Sequence, residues 1–159
     1  RNHGFSESNG DFVIFWDADT IALPTMLEEM SKALGKNSEC SWAYSRFRFG
    51  WKKMYSAKFD FGKLKENNYI DITSLLRRDA FQPFDEKLKR FQDWDLWLTL
   101  SEQGKSGVFI PEFLYKKITN PEGISSWFPS FFFKLPWKIG KVEKYEAAAE
   151  IVRRKHGLV

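Results

Sequence analysis

The hydrophobic and polar positions of the chain follow two periods in turn, which predicts strands alternating with helices. Residues 12–16 form an unbroken apolar run after a turn at Asn9-Gly10, and such a run is typical of a strand buried on both faces of a parallel sheet. Pro24 stands where the first residue of a helix belongs, and Gly35 marks the expected end of that helix. Apolar residues recur between them at helical spacing, namely Met26, Leu27, Met30, Ala33 and Leu34. The pattern therefore predicts a strand, an acidic loop and a helix.

Later segments continue this pattern. Residues 41–49 alternate with period two, which predicts a strand with arginines on one face and phenylalanines on the other. The same two periods predict strands over residues 69–76, 108–110 and 113–115, and helices over residues 93–103 and 142–156. Strands that alternate with helices indicate an α/β fold, with a mostly parallel sheet flanked by helices.

Two carboxylates follow the first predicted strand directly. Open α/β sheets bind ligands at the carboxyl ends of their strands, so Asp17 and Asp19 lie where a ligand is expected. Because they stand one residue apart in an irregular loop, both can turn toward one hard cation, and their oxygens suit Mg²⁺ or Mn²⁺. In the alternative interpretation, the two aspartates only bond neighbouring backbone amides or cap the helix at Pro24.

A second acidic pair, Asp93 and Asp95, falls in the first turn of the helix predicted over residues 93–103. Acids at this position satisfy free N–H groups and complement the helix dipole, which is one interpretation of the pair. The functional interpretation makes Asp93 a general base that faces a hydroxyl, with Trp94 as an aromatic platform for the substrate. The pattern alone leaves both open.

Several sequence blocks occur in a recognisable order. The chain opens with R-N-H-G, continues through the first strand to D-A-D at residues 17–19, and reaches Pro24. Residues 74–78, 84–88 and 92–98 follow. This series resembles family 2 glycosyltransferases of the GT-A fold, whose later block usually ends in E-D-W-D-L-W-L. The resemblance covers about residues 1–118, so we expect a partial GT-A domain there and a basic aromatic tail with a terminal helix over residues 119–159.

The resemblance implies transfer of a sugar, with inversion, from a nucleotide diphosphate donor to an acceptor hydroxyl. Mg²⁺ or Mn²⁺ held by Asp17 and Asp19 would neutralise the departing diphosphate, and Asp93 would take the acceptor proton. By the same analogy Arg1 would lie near the donor phosphates. The substrate-binding residues implied in this way are Arg1, Asp17, Trp94 and Asp95. The expected partners are a nucleotide-sugar donor and a glycan or lipid-linked acceptor, in surface polysaccharide or glycan synthesis.

The chain departs from the family pattern at three positions. Gln92 stands in place of the usual Glu, and Thr20 stands where a third acid is common. Family members often place a His after the last strand, whereas residues 116–121 read K-K-I-T-N-P, and Asn120 is a weak substitute as a metal ligand. The family's opening strands, which hold the nucleotide base, would precede Arg1. We therefore expect the chain to begin within a larger domain and to bind the donor poorly alone.

Composition and charge narrow the chemistry further. A single Cys40 excludes an internal disulfide and a cysteine zinc cluster, and the isolated His3 and His156 argue against a histidine-rich metal site. Residues 1–115 carry 16 basic and 17 acidic side chains, whereas residues 116–159 carry 9 and 4, so the basic excess behind the net charge of +4 belongs to the tail. No apolar run is long enough for a membrane span, and we expect a cytoplasmic protein.

Six aromatic rings fall within residues 127–137 of the basic tail. They either pack over the sheet near the acceptor site or make a peripheral contact with anionic lipid at the inner face of the cell membrane. A non-catalytic membrane- or glycan-interaction module is the alternative function. A HAD-type phosphatase is less favoured, because Ile21 stands where that family has Thr or Val. The small net charge of residues 1–115 argues against nucleic acid as a partner.

Overall fold

The computed structural model describes residues 1–118 and 140–159. Its helices are α1 (Asn2–Ser6), α2 (Met26–Lys36), α3 (Phe61–Glu66), α4 (Gln92–Glu102) and α5 (Gly140–Lys155), with a 3-10 turn at Arg78–Ala80. Its strands are β1 (Phe12–Val13), β2 (Thr20–Ala22), β3 (Cys40–Phe49), β4 (Lys52–Lys53), β5 (Leu75–Arg77) and β6 (Ser106–Lys117). Helices and strands alternate along the chain, as the sequence predicts for an α/β fold.

The sheet is mixed, which corrects the expectation of a mostly parallel one. Its strand order is β1-β5-β3-β6-β2, and β4 pairs with β3 outside that path. The two long strands, β3 and β6, run parallel, while the other described pairs are antiparallel. The strands other than β3 and β6 have only two or three residues. The loops that connect such short strands set the direction in which they pair.

The first predicted strand differs most from expectation. Only Phe12 and Val13 pair, at the edge of the sheet, and Phe12 is 38% exposed. The prediction of a strand buried on both faces is therefore wrong, although Phe15 does enter the core. Since β1 and β2 lie at opposite edges, residues 14–19 must cross the sheet between them. This crossing carries the acidic loop to the end of β6.

Pro111 does not divide the last strand, as the sequence suggests, but lies inside β6. The register with β3 shifts between the pairs Ser45–Ile110 and Arg46–Phe113, so Pro111 and Glu112 form a bulge. A bulge suits proline, which has no N–H to give to the ladder. Two predicted short strands thus join into one strand of 12 residues that ends at Lys117.

Helices cover both faces of the sheet. Met26, Met30 and Leu34 of α2 pack on one face, in a cluster with β3 and β6 residues. On the other face the cluster contains the apolar side of α4, Leu64 of α3, and residues of α5. The predicted strand over residues 69–76 is a strand only from Leu75. Its apolar residues are nevertheless buried, Leu75 in the first cluster and Tyr69, Ile70, Ile72 and Leu76 in the second.

The terminal helix predicted over residues 142–156 is present as α5, and Val142, Ala149 and Val152 are buried. The aromatic cluster over residues 127–137 and Asn120 lie outside the described residues, so their predicted roles stay predictions, as does the domain division at residue 118. Within the described parts of the chain, no helix has both the length and the apolar composition to cross a membrane.

Candidate active site

The acidic loop is held by two cations. Arg1 Nη2 donates to Asp17 Oδ1 at 2.8 Å, and Lys117 Nζ donates to Asp17 Oδ2 at 3.0 Å. Partial burial alone would raise the pKa of the Asp17 carboxyl, but Lys117 and then Arg1 outweigh it and hold that pKa below its ordinary value. Asp17 is therefore ionised at neutral pH, and the structure places it in contact with Arg1.

Lys117 connects this loop to a second acid. Its side chain is only 9% exposed, and Nζ also donates to Asp71 Oδ2 at 2.7 Å. Tyr115, two residues earlier on the same face of β6, donates its hydroxyl to Asp71 Oδ1 at 3.1 Å. Burial would lower the pKa of the Lys117 ammonium, but Asp71 and Asp17 raise it above its ordinary value. The buried ammonium is stabilised because two carboxylates flank it.

Asp93 lies beside this network, in the first turn of α4. Its Oδ1 accepts the backbone N–H of Trp94 at 2.9 Å, and Asn68 donates a side-chain hydrogen bond to it. Burial, and then the negative charge of Asp71, raise the pKa of Asp93 to about 6. We refer to Asp17, Asp71, Asp93, Tyr115 and Lys117 as the acid cluster.

Gln92 joins α4 to the acidic loop. Its Oε1 accepts from Arg1 Nη1 at 3.3 Å, while its Nε2 donates to the carbonyl of Leu88 at 2.8 Å. The residue that departs from the family's usual Glu thus contacts the same arginine as Asp17. Arg1 spans the acidic loop and the start of α4.

Two predicted substrate-binding residues lie away from the acid cluster. Trp94 is 2% exposed and donates its indole N–H to the Leu64 carbonyl at 2.7 Å, so its ring belongs to the core. Asp95 faces α5, where Lys155 Nζ lies 2.8 Å from its Oδ1 and His156 Nε2 lies 2.9 Å from the same oxygen. In this arrangement neither side chain presents a free surface to a substrate.

The fit of a metal ion to the acidic loop rests on Asp19. Its Oδ1 is buried and has no hydrogen-bond partner among the described residues, so it is a free acceptor suited to a cation. Both oxygens of Asp17 are bound by Lys117 and Arg1, and would have to exchange partners. Over residues 1–118 and 140–159, no group of three or more His, Cys, Asp and Glu side chains could hold a metal. An ion at this loop would have to take its remaining ligands from water and substrate oxygens.

Sequence reasoning misses four residues of this site: Asn68, Asp71, Tyr115 and Lys117. A signal was present for Asp71, a lone acid between two isoleucines of a predicted strand. Lys117 stands two residues after the last predicted strand, where a ligand-facing residue is expected. Their meeting depends on the packing of residues 68–71 against β6, which the pattern of the sequence does not specify.

Comparison with known proteins finds similarities to a family model, to a curated relative and to solved structures. The family model described as glycosyl transferase family 2 matches residues 1–88. The uncharacterized glycosyltransferase MJ1057 of Methanocaldococcus jannaschii is 29% identical over 129 residues, which are 73% of this chain and 44% of that protein. The solved structure of S. aureus TarS 1-349 in complex with UDP-GlcNAc has a TM-score of 0.62 at 13% identity, covering 94% of this chain and 50% of that chain.

A second solved structure of S. aureus TarS 1-349 has a TM-score of 0.61 at 12% identity, over 74% of this chain and 39% of that chain. At these identities the likeness concerns the fold. The chain spans half the length, or less, of the relatives and structures that it matches.

Proposed function

Because the chain belongs to glycosyl transferase family 2 and has the GT-A fold, we propose that it transfers a sugar from a nucleotide diphosphate donor to an acceptor hydroxyl, with inversion. The observation that carries this proposal is the acid cluster, in which a carboxylate of raised pKa lies beside an acidic loop at the end of β6. The surroundings of Asp17 and Asp93 shift their pKa values in opposite directions, which suits Asp17 to binding a cation and Asp93 to accepting a proton.

The donor side of the proposed site is the loop with Asp17 and Asp19. These two carboxylates would hold Mg²⁺ or Mn²⁺, which supplies positive charge to the departing diphosphate. Arg1 already lies on Asp17 and has further N–H groups that can donate to phosphate oxygens. The S. aureus TarS structures in complex with UDP and with UDP-GlcNAc support a nucleotide sugar as the donor.

The acceptor side is Asp93. With a pKa of about 6 its carboxylate is ionised at neutral pH, yet it is a stronger base than an ordinary aspartate. In the proposed step the acceptor oxygen bonds to the anomeric carbon, the bond from that carbon to the diphosphate oxygen breaks, and the acceptor proton passes to Asp93. The leaving diphosphate keeps the electron pair of the broken bond. Attack on the face opposite the leaving group inverts the configuration.

The acceptor and the biological role are proposals of a different kind. A glycan or lipid-linked acceptor, surface polysaccharide synthesis and a peripheral contact with anionic membrane rest on the sequence alone. The aromatic residues that would make such a contact fall outside the described residues. Membership of glycosyl transferase family 2 argues against the phosphatase alternative. Of the two remaining functions, it favours sugar transfer over a purely non-catalytic module.

Substitution of Asp93 tests the proposal. In the full-length protein, Asp93→Asn should keep the fold and UDP affinity but lower turnover of UDP-GlcNAc and related UDP-sugars at least about a hundredfold, because a general base contributes roughly 10² to 10⁴ in rate. UDP release and the anomeric configuration of the product, followed by NMR, are the measurements. The matched control is Asp60→Asn, since Asp60 caps α3 from an exposed position. Turnover by Asp93→Asn equal to the control would overturn the mechanism.

A further inference from the structure

The turn of α4 that carries Asp93 is held from its far side by α5 and by His156, the residue that follows α5. His156 Nε2 lies 2.9 Å from Asp95 Oδ1, and His156 Nδ1 lies 2.9 Å from Glu102 Oε1. The imidazole is 3% exposed and therefore ties the first and last turns of one helix together. Lys155 Nζ adds ion pairs with Asp95 and, at 2.9 Å, with Asp85 Oδ2. We refer to Asp95, Glu102, Lys155 and His156 as the α5 clasp.

A second contact holds the residue just before α4. Phe91 has φ 61°, which lies in the left-handed region. Among the described residues, Phe91 alone has a positive φ without being a glycine. This conformation costs free energy and needs support from packing. The support comes from Trp94 and from Tyr145 of α5, whose ring centroids lie 5.8 and 4.8 Å from that of Phe91. The backbone at Phe91 sets the direction in which α4 begins.

These two contacts flank Asp93 in the sequence, at positions 91 and 95. Successive residues on a helix point about 100° apart, so Asp95 faces α5 while Asp93 faces Asp71 and Lys117 of the acid cluster. Burial, and then the charge of Asp93, raise the pKa of Tyr145, which indicates that the Tyr145 ring lies near the Asp93 carboxylate. The first turn of α4 is thus enclosed between α5 and the acid cluster.

We propose that α5 positions the general base: through Tyr145 on Phe91 and through the α5 clasp on Asp95, it fixes the first turn of α4 and so the place of the Asp93 carboxylate. Tyr145, Lys155 and His156 are positioning residues. The inference rests on the proposed role of Asp93, and it extends the site to a helix that belongs to the tail of the chain.

The charge on His156 gives the clasp a pH dependence. Both ring nitrogens face carboxylates, so both bonds form only with the doubly protonated imidazolium. Burial lowers the pKa of His156, but the hydrogen bonds and charges of Asp95 and Glu102 outweigh it and raise that pKa. The other charged groups at the clasp are Lys155 on α5 and Asp85 in the preceding loop. A raised pKa means that the clasp is complete at low pH and is lost as pH rises through the pKa of the folded protein.

The test is His156→Gln in the full-length protein, measured as UDP release from a UDP-sugar against pH. Gln donates from one nitrogen only, so below the pKa of His156 we expect kcat to fall about tenfold with little change in the KM for the donor, as for a displaced base. We also expect the wild-type fall in kcat on the alkaline side to disappear. Arg154→Gln is the control, because Arg154 pairs with Glu150 at the exposed surface of the same helix.

Two further variants keep the outcomes distinct. Tyr145→Leu tests the other contact if His156→Gln folds poorly, and it should lower kcat in the same way. If His156→Gln and Tyr145→Leu lower the melting temperature but leave kcat per folded molecule and its pH profile unchanged, α5 is only structural and the inference is overturned. If instead Asp93→Asn retains full turnover, it is the base assignment that fails.

Discussion

Lys117 joins the two halves of the acid cluster, and its burial makes the site sensitive to it. Lys117→Met leaves the Asp71 carboxylate without its cation, and it leaves Asp17 with Arg1 alone. Removing one partner of a buried ion pair costs about 3 kcal/mol of unfolding free energy or more, and we expect a loss of that size in urea denaturation. Lys117→Arg should recover part of it. Lys116→Met is the matched control, since Lys116 is exposed on the same strand, and its effect should stay within about 0.5 kcal/mol.

Asp93 predicts the acidic side of the pH profile. A general base acts when deprotonated, and its raised pKa means that the carboxyl of Asp93 loses its proton only as pH rises through about 6. The value of kcat/KM should therefore rise through pH 6, which is the acidic limb of a profile whose alkaline fall is attributed to His156. Because Asp71 is one cause of the shift, Asp71→Asn should move this limb to lower pH, whereas Asp79→Asn, an exposed acid, should not. If Asp71→Asn does not move this acidic limb, the limb reports the titration of a group other than Asp93.

At the residue scale, the sequence predicts those parts of the site that stand in local patterns. Asp17 and Asp93 are recognisable because each follows a strand or begins a helix in a family-like block. Trp94 and Asp95 share that block, but adjacent helical residues point in different directions, so sequence proximity to Asp93 does not bring them to the same site. Lys117 and Asp71 meet only through tertiary packing, which a local pattern does not contain.

At the scale of elements, the central pair of strands depends on one close approach. A Cβ built on Gly107, at the start of β6, would overlap the indole of Trp42 on β3. Gly107→Ala should therefore lower the unfolding free energy by about 1 to 3 kcal/mol, the usual cost of overpacking a core. Gly35→Ala is the matched comparison, because Gly35 lies inside α2 with open space around it and Ala is the better helix former by about 1 kcal/mol. Thermal denaturation of both variants should show opposite signs.

The elements themselves were predictable to different degrees. The helices α2, α4 and α5 follow from apolar spacing, which is local to each segment. Strand direction does not follow from apolar spacing, since the period of two is the same for parallel and antiparallel pairs. The pattern therefore does not predict that the sheet is mixed. Pro111 is read as a break, yet a bulge opposite β3 accommodates it, so a single strand carries Lys117 to the site.

At the scale of the whole molecule, the site lies where four separate parts of the chain meet. Arg1 and the acidic loop come from the start, Asn68 and Asp71 from the segment before β5, the first turn of α4 from farther along, and Lys117 from the end of β6. The α5 clasp adds residues near the C-terminus. Sequence separations of up to 100 residues explain why the family blocks predict the site's location while its hydrogen-bond network emerges only from the fold.

Ligand binding by the full-length protein is the measurement that joins these parts. Mn²⁺ alone should raise the melting temperature little, because Asp17 must first release Lys117 and Arg1. Mn²⁺ with UDP should raise it more, since diphosphate oxygens complete the coordination. A ligand at a free concentration of about 100 times its Kd should raise the free energy of unfolding by about 2.7 kcal/mol. Asp19→Asn removes the negative charge of the side chain that offers a free acceptor in the loop. This variant should lose the Mn²⁺-dependent rise in melting temperature and keep any rise that UDP causes without Mn²⁺. Asp11→Asn, an exposed acid before β1, is the control, and an equal Mn²⁺ response in both variants would remove Asp19 from the metal site.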